Sequence, residues 1–247
     1  MRFTVKMMLL LFCFIQFALG SLAIAEDKQT VALFDGKTLE GWHGDERFWR
    51  VEDGVLIGET SKSNPAPHNT FLIHDEEFAD FELAFSYKVS GFNSGVQYRS
   101  VEQDDFVVRG YQADFEARWH DGDVDKFSGM FFEENGRMFL GQRGTMVVVE
   151  SPQGDDQKPL IRVAGKLGDP VQLETAIKRD DWNEYVVIAK GFQFTHIING
   201  RVMCTAIDND VTNRKASGVI AFQLHSGKPM RIELKDIRIR ALRADEK

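Results

Sequence analysis

The segment GYQADFEARW, Gly110 to Trp119, carries a row of side chains able to do chemistry. In an extended strand, residues two apart share a face. Gln112, Asp114, Glu116 and Arg118 then stand on one side, with Tyr111, Ala113, Phe115 and Ala117 on the other. Two neighbouring carboxyl groups suit general acid–base work or sugar cleavage. A retaining glycosidase needs its pair about 5 Å apart. Same-face neighbours lie roughly 6.6 Å apart, within side-chain reach. Gln112 breaks that scheme at the first position, because a neutral amide cannot attack an anomeric carbon.

Two other segments offer similar rows. NSGVQYRS sets Gln97 and Arg99 opposite Val96 and Tyr98. GVIAFQLHS sets Gln223 and His225 opposite Ile220, Phe222 and Leu224. Any such row can be a plain solvated face, the default for an antiparallel sheet with one wet side. A plain face is usually rich in Lys, Glu and Thr. These rows carry Gln, Arg, Asp and His, with Trp119 at one strand end. That mixture suits sugar hydroxyls, which need donors, acceptors and an aromatic platform.

The elements that must position these rows are strands. FELAFSYKV puts Phe81, Leu83, Phe85, Tyr87 and Val89 on one face. NEYVVIAKG, QFTHIING and RIELKDIRIRAL alternate in the same way, and no long stretch has a helical period. Asn199-Gly200 between apolar runs predicts a two-residue hairpin turn. Asp35-Gly36 and Asp53-Gly54 read as turns, and Trp42, Trp49 and Trp182 as core anchors. The pattern predicts an all-β sandwich. Asp121 to Pro170 is less regular and reads as two or three strands joined by long loops, with Arg137, Gln142 and Arg143 as site candidates. Asp208 and Asp210 in IDNDVTN could hold calcium, but a solvated turn is the simpler reading.

The first residues predict an address. Arg2 and Lys6 precede an apolar run from Met7 to Leu19, and Ala23-Ile24-Ala25 has the small-residue pattern of a cleavage site. These are marks of a secretory signal peptide over residues 1–25, with one β-domain over 26–247. The apolar run is shorter than the roughly 20 residues a spanning helix needs. An extracytoplasmic protein, periplasmic or secreted, is expected. Cleavage removes Cys13 and leaves Cys204 alone, so no internal disulfide and no C-x-x-C metal spacing is available. The formal net charge of −8 disfavours a nucleic-acid partner. No membrane partner is expected after cleavage.

VALFDGKTLEGWHGDERFWRVEDGVLIGE resembles the opening of the 3-keto-disaccharide hydrolase family, with its Leu-Phe-Asp-Gly-Lys-x-Leu-x-Gly-Trp signature followed by Trp-x-Val-x-Asp-Gly-x-Leu. FADFELAFSYKV, GFNSGVQYRS, GYQADF, DWNEYVVIAKG, HIINGRV and GVIAFQLHSGKPMRIELKDIRIRAL resemble later motifs of that family, in order. The resemblance implies a concanavalin A-like jelly roll of two antiparallel sheets. It also implies action on 3-keto glycosides, where the ketone acidifies the proton on C2 and the aglycone can leave by elimination. That route needs a base and an enolate stabiliser, not a carboxylate nucleophile. Asn93, Ser94 and Arg99 match the family motif, whereas Gln112 and Asp114 stand where the family has Glu and Gln.

On this reading Asp114 is the base or a metal ligand. Arg99 polarises the keto oxygen, and His225 assists proton transfer or binds metal. Gln97, Gln112, Glu116, Trp119, Arg143, Gln223 and Asn93 are expected to bind a small carbohydrate substrate. The sequence requires no cofactor; a divalent cation is compatible with the site, but no ligand spacing demands one. Two alternatives stay open: a non-catalytic carbohydrate-binding module on the same fold, and an ordinary glycoside hydrolase using Asp114 and Glu116.

Overall fold

Alternation becomes strand wherever apolar and polar residues trade places for more than a few positions. A computed structural model describes residues 30–120, 124–153 and 158–242, so the expected signal peptide lies outside the described residues. The strands run β1 Val31–Ala32, β2 Trp42–His43, β3 Trp49–Glu52, β4 Val55–Glu59, β5 Thr70–Phe78 and β6 Phe81–Ser90. Next come β7 Asn93–Gln103, β8 Val107–Glu116, β9 Phe131–Glu134, β10 Met138–Gly141, β11 Thr145–Glu150 and β12 Leu160–Lys166. A short helix, α1 Pro170–Glu174, precedes β13 Asn183–Lys190, β14 Gln193–Ile198, β15 Arg201–Asp208, β16 Gly218–Leu224 and β17 Arg231–Ala241.

Two sheets form. One has ten strands, in the order β12-β11-β15-β14-β13-β6-β17-β4-β3 with β1 beside β17; the other has seven, in the order β10-β9-β8-β7-β16-β5-β2. This is the jelly-roll sandwich the sequence implied, with one departure: β11 pairs β15 in parallel. The Asp121–Pro170 region supplies four strands rather than two or three. Among the described residues, β9 and β10 have four residues each, and β12 is exposed along nearly its whole length, so they leave little alternation to read.

The core lies between the sheets. Phe81, Leu83, Phe85, Tyr87 and Val89 are all buried there, as their spacing predicts. Phe85 stacks on Tyr185 with centroids 5.6 Å apart and meets Phe222 edge-on at 5.1 Å. Truncating a buried phenylalanine such as Phe85 to Ala costs about 3–5 kcal/mol. Trp42 and Trp49 are buried, but Trp182 is only half-buried, with the Lys235 ammonium 4.1 Å above its ring. Asn199 and Gly200 both take positive φ, at 47° and 74°, which closes the β14–β15 hairpin.

Two expectations fail on the core side. Asp208 and Asp210 are fully buried rather than in a solvated turn, and both bind the Arg137 guanidinium. Arg99 does not share the outer face with Gln97. A bulge shifts the β7–β8 register between Tyr98 and Val101, and Arg99 itself has φ 47°. Its guanidinium turns away and donates to the carbonyls of Ala79, Gly191 and Lys215 and to Asp80. Arg99 is a strut that ties three loops together.

Candidate functional site

The outer face of the seven-stranded sheet carries a file of hydrogen bonds. Gln97 lies opposite Gln112 across β7 and β8, and Gly95 lies opposite Asp114. Gln97 Nε2 donates to Gln112 Oε1, and Gln112 Nε2 donates to Asp114 Oδ1. A Cβ at Gly95 would sit 2.6 Å from Gln112 Cγ, so only glycine leaves the Gln112 side chain its course. Every amide in the file spends a donor toward Asp114, which fixes the carboxyl without bringing a cation to it.

A second carboxyl stands on the neighbouring strand. Glu134 accepts from Asn69 Nδ2 at 3.0 Å and from Gln223 Nε2 at 3.1 Å. Asn69 Oδ1 in turn accepts from the Ser226 amide at 3.0 Å. His225 Nδ1 lies 2.6 Å from the Ser226 carbonyl. A carbonyl only accepts, so Nδ1 carries the proton and Nε2 is the basic atom of the neutral ring. Gln223 Oε1 is buried with no hydrogen-bond partner among the described residues. Such an acceptor is costly unless a ligand hydroxyl satisfies it.

Above this floor lies a cavity of about 490 Å³. Gln112, Asp114, Glu134, Gln223, Asn69, Asn93, Asn135 and His225 supply its polar lining, and Phe92, Trp119, Phe127, Phe132, Met138 and Phe139 its apolar lining. Phe127 stacks on Phe139 at 5.7 Å, and Phe132 meets Phe139 at 4.9 Å. The loop bearing Phe127 is pinned by Glu116. Its carboxyl accepts from Trp119 Nε1 at 2.8 Å and from the backbone amides of Lys126 and Phe127.

Burial dominates the electrostatics. It pushes the Asp114 carboxyl well above the ordinary range; the Gln112 hydrogen bond pulls the other way, and the nearby Glu116 and Glu134 charges raise it further. Burial and the Asp125 charge raise Glu116 to about 7, against the amides of Phe127 and Lys126. Among the described residues, no Lys or Arg pairs with Asp114 or Glu134, and no three His, Cys, Asp or Glu side chains are grouped to hold a metal ion. The combination of acid–base groups, amide donors and an orphan acceptor can move protons on a neutral, hydroxyl-rich ligand.

The structure brings Asn93, Gln112, Asp114, Trp119, Gln223 and His225 of the expected set to this cavity. Gln97 sits behind it, positioning Gln112, and Glu116 serves the loop rather than the lining. Arg99 and Arg143 lie elsewhere. Arg143 is buried against Asp125, Ser128, Pro170 and Glu174, all of which accept from its guanidinium. It closes the loop region from within. Sequence reading missed Glu134, Asn69 and the phenylalanines of the wall. Phe132 and Glu134 alternate in FFEEN, but four residues are too short a run to reveal a face, and nothing in the sequence marks Asn69.

The family described as the 3-keto-alpha-glucoside-1,2-lyase-like domain matches residues 29–240. A 3-keto-disaccharide hydrolase of Bacteroides thetaiotaomicron is 38% identical over 80 residues, which is 29% of this chain and 28% of that protein. That match therefore spans less than a third of the relative's length. A candidate glycosyl hydrolase of Parabacteroides distasonis superposes with a TM-score of 0.56 at 17% identity, covering 87% of this chain and 100% of that one. A carbohydrate-binding module, CBM66, of Bacillus subtilis gives 0.50 at 13% identity, covering 81% and 96%. At these identities the superpositions speak for the fold alone. Among the described residues, no helix is long and apolar enough to cross a membrane. The family's match, by contrast, runs through every strand of both sheets but the last residue of β17, and the chain belongs to the 3-keto-alpha-glucoside-1,2-lyase-like domain family.

Proposed function

We propose that this protein cleaves the glycosidic bond of 3-keto glycosides outside the cytoplasm. The observation that carries the reading is a pair of buried carboxyl groups, Asp114 and Glu134, held by carboxamides in one cavity. A ketone at C3 makes the C2 proton removable by such a group. The Asp114 carboxylate takes that proton, and the electrons of the C2–H bond move toward the C3 carbonyl. The Asn93 carboxamide, which lines the cavity, donates to the oxygen that gains charge and takes the place first given to Arg99.

Collapse of the enolate then breaks the bond from C1 to the aglycone oxygen. Asp114, now a carboxylic acid, returns its proton to that oxygen. Burial suits both halves of this exchange, because a raised pKa makes the carboxylate a stronger base and keeps the acid form available. Water adds to C1 while His225 Nε2 accepts its proton, and the imidazolium then gives that proton to C2, which returns the ring nitrogen to its basic form. The sum is one glycoside and one water giving one 3-keto sugar and one alcohol. Gln223 Oε1 and Gln112 hold sugar hydroxyls. Dialysis against a chelator followed by metal add-back separates a cation-assisted form of these steps from a purely carboxyl one.

Incubation with a glucoside and its 3-keto counterpart tests the reading. Aglycone release from the keto sugar alone is expected. Binding without release would assign a carbohydrate-binding module, and cleavage of the unoxidised glucoside an ordinary glycosidase. N-terminal sequencing of the protein recovered from the cell envelope or medium tests its location, with a start at Glu26 expected.

A further inference from the structure

We infer that the aglycone this site accepts is an aromatic alcohol rather than a second sugar, an inference that rests on the reading of the cavity as a 3-keto glycoside site. The cavity is divided by chemistry. Its floor comes from β8, β9 and β16 and carries Gln112, Asp114, Glu134 and Gln223, all buried. Beside it, Phe132 on β9, Met138 and Phe139 on β10 and Phe127 on the preceding loop make an apolar wall. These four side chains offer no strong hydrogen-bonding group among them. The Trp119 N–H is already given to Glu116.

A pyranose carries hydroxyls around its whole rim. One such ring fits the floor, where amides, carboxyls and the orphan Gln223 oxygen await it. A second ring on the wall would strip water from its hydroxyls and find one polar residue there, Asn135, whose Nδ2 is already given to the Val108 carbonyl. Sugars do stack on aromatic rings, but such platforms are flanked by polar groups that collect the equatorial hydroxyls. Here the rings flank one another: Phe139 stacks on Phe127 at an interplanar angle of 19° and meets Phe132 at 65°. A planar aromatic group can extend that array at no hydrogen-bonding cost.

Two further observations agree. Met138 and Phe139 are 54% and 44% exposed on the sheet's edge strand, where large apolar side chains cost solubility unless a ligand covers them. The wall also lacks any acid, so the leaving oxygen depends on the floor carboxyls alone for its proton. An aryl oxygen, with a phenol pKa of about 10, departs with less help than the alkoxide of a sugar.

Calorimetry with phenyl α- and β-glucosides against maltose and cellobiose tests this without turnover. The phenyl glucosides are expected to bind about tenfold tighter than the disaccharides, a difference of one well-placed aromatic contact. Phe139→Ser should erase that preference and leave methyl glucoside binding unchanged; Met138→Ser, at a more exposed position, repeats the test if the first variant folds poorly. Equal or tighter binding of the disaccharides overturns the inference. A parallel assay of 3-keto phenyl glucoside and 3-keto cellobiose separates it from the cleavage reading. Preferential phenyl binding with no release from either substrate removes the cleavage and leaves the aromatic subsite standing. Faster release from 3-keto cellobiose keeps the cleavage and removes the subsite.

Discussion

Glu133 and Glu134 are neighbours on one strand and live in opposite electrostatic worlds. Glu133 shares the core side with Phe131 and meets the Arg137 guanidinium, which also binds Asp208 at 2.7 Å and Asp210 at 3.1 Å. Tyr111, Ser151 and Asn213 donate to the same aspartates. Burial opposes the charge on Arg137, and hydrogen bonds to Asp208 and Glu133 outweigh it. Glu134, on the outer face, has two carboxamides and no cation. A guanidinium neutralises a carboxylate and makes it structure. A carboxamide orients a carboxylate without neutralising it, and so leaves it basic. Asp114, held by Gln112, belongs with Glu134. One strand pair thus builds a charge lock on its inner side and a proton-handling surface on its outer side.

The strongest test of that division is at Asp114. Asp114→Asn keeps the shape and removes the base, and turnover of a 3-keto glycoside should fall about a thousandfold. Because burial disfavours the Asp114 charge, the variant should be at least as stable as the parent in urea unfolding. Unchanged turnover would end the assignment. On the inner side, Arg137→Met should do the reverse. It strands three carboxylates in the core and should cost about 3–5 kcal/mol in urea unfolding, while turnover per folded molecule holds within about twofold. If Arg137→Met is as stable as the parent, the lock is not what holds this end of the sandwich. Glu134→Gln is expected between the two. Turnover should drop about tenfold to a hundredfold, and stability should move by less than about 1 kcal/mol, since the Gln223 amide can turn its orphan Oε1 toward the new donor while Asn69 keeps its bond.

The same contrast explains what was legible in the chain. Alternation survives from sequence to structure as long as the ladder is regular, so Gln112, Asp114, Gln223 and the core face of β6 were readable. A bulge is invisible to that rule, and Arg99 lies just beyond one. The β9 strand has four residues and ends at a turn where Asn135 takes φ 53°, too short a run to reveal Glu134. Arg137 and Arg143 looked like ligand binders because a lone arginine in a sequence has no partner in view. Arg137 finds Asp208 71 positions away, and Arg143 finds Asp125 18 positions away. Only the fold brings those charges together, and it brings them together as structure.

The smallest expected effect is a pH slope that belongs to Glu116. Its carboxyl is raised from 4.5 to about 7, so the folded protein holds a proton there that the unfolded chain has released. The stability this contributes is complete below pH 4.5 and is lost as pH rises through about 7. Asp114 is raised as well and acts in the same direction. His196 acts in the opposite one. Burial lowers it from 6.5 to about 4, so its contribution is complete above pH 6.5 and is lost as pH falls through about 4. Between those limits the carboxyls and the histidine offset each other. Above pH 6.5 the histidine is silent and the carboxyls stand alone. Glu116→Gln should therefore flatten the decline of the melting temperature from about pH 6.5 to pH 8, by a degree or two, and, with one of the offsetting carboxyls gone, steepen its rise with pH between about pH 4.5 and pH 6.5. Parallel declines in the two proteins would mean that Glu116 is already ionised at neutral pH. The four donors around its carboxyl would then hold it by charge, and it would belong with Glu133 rather than with Glu134.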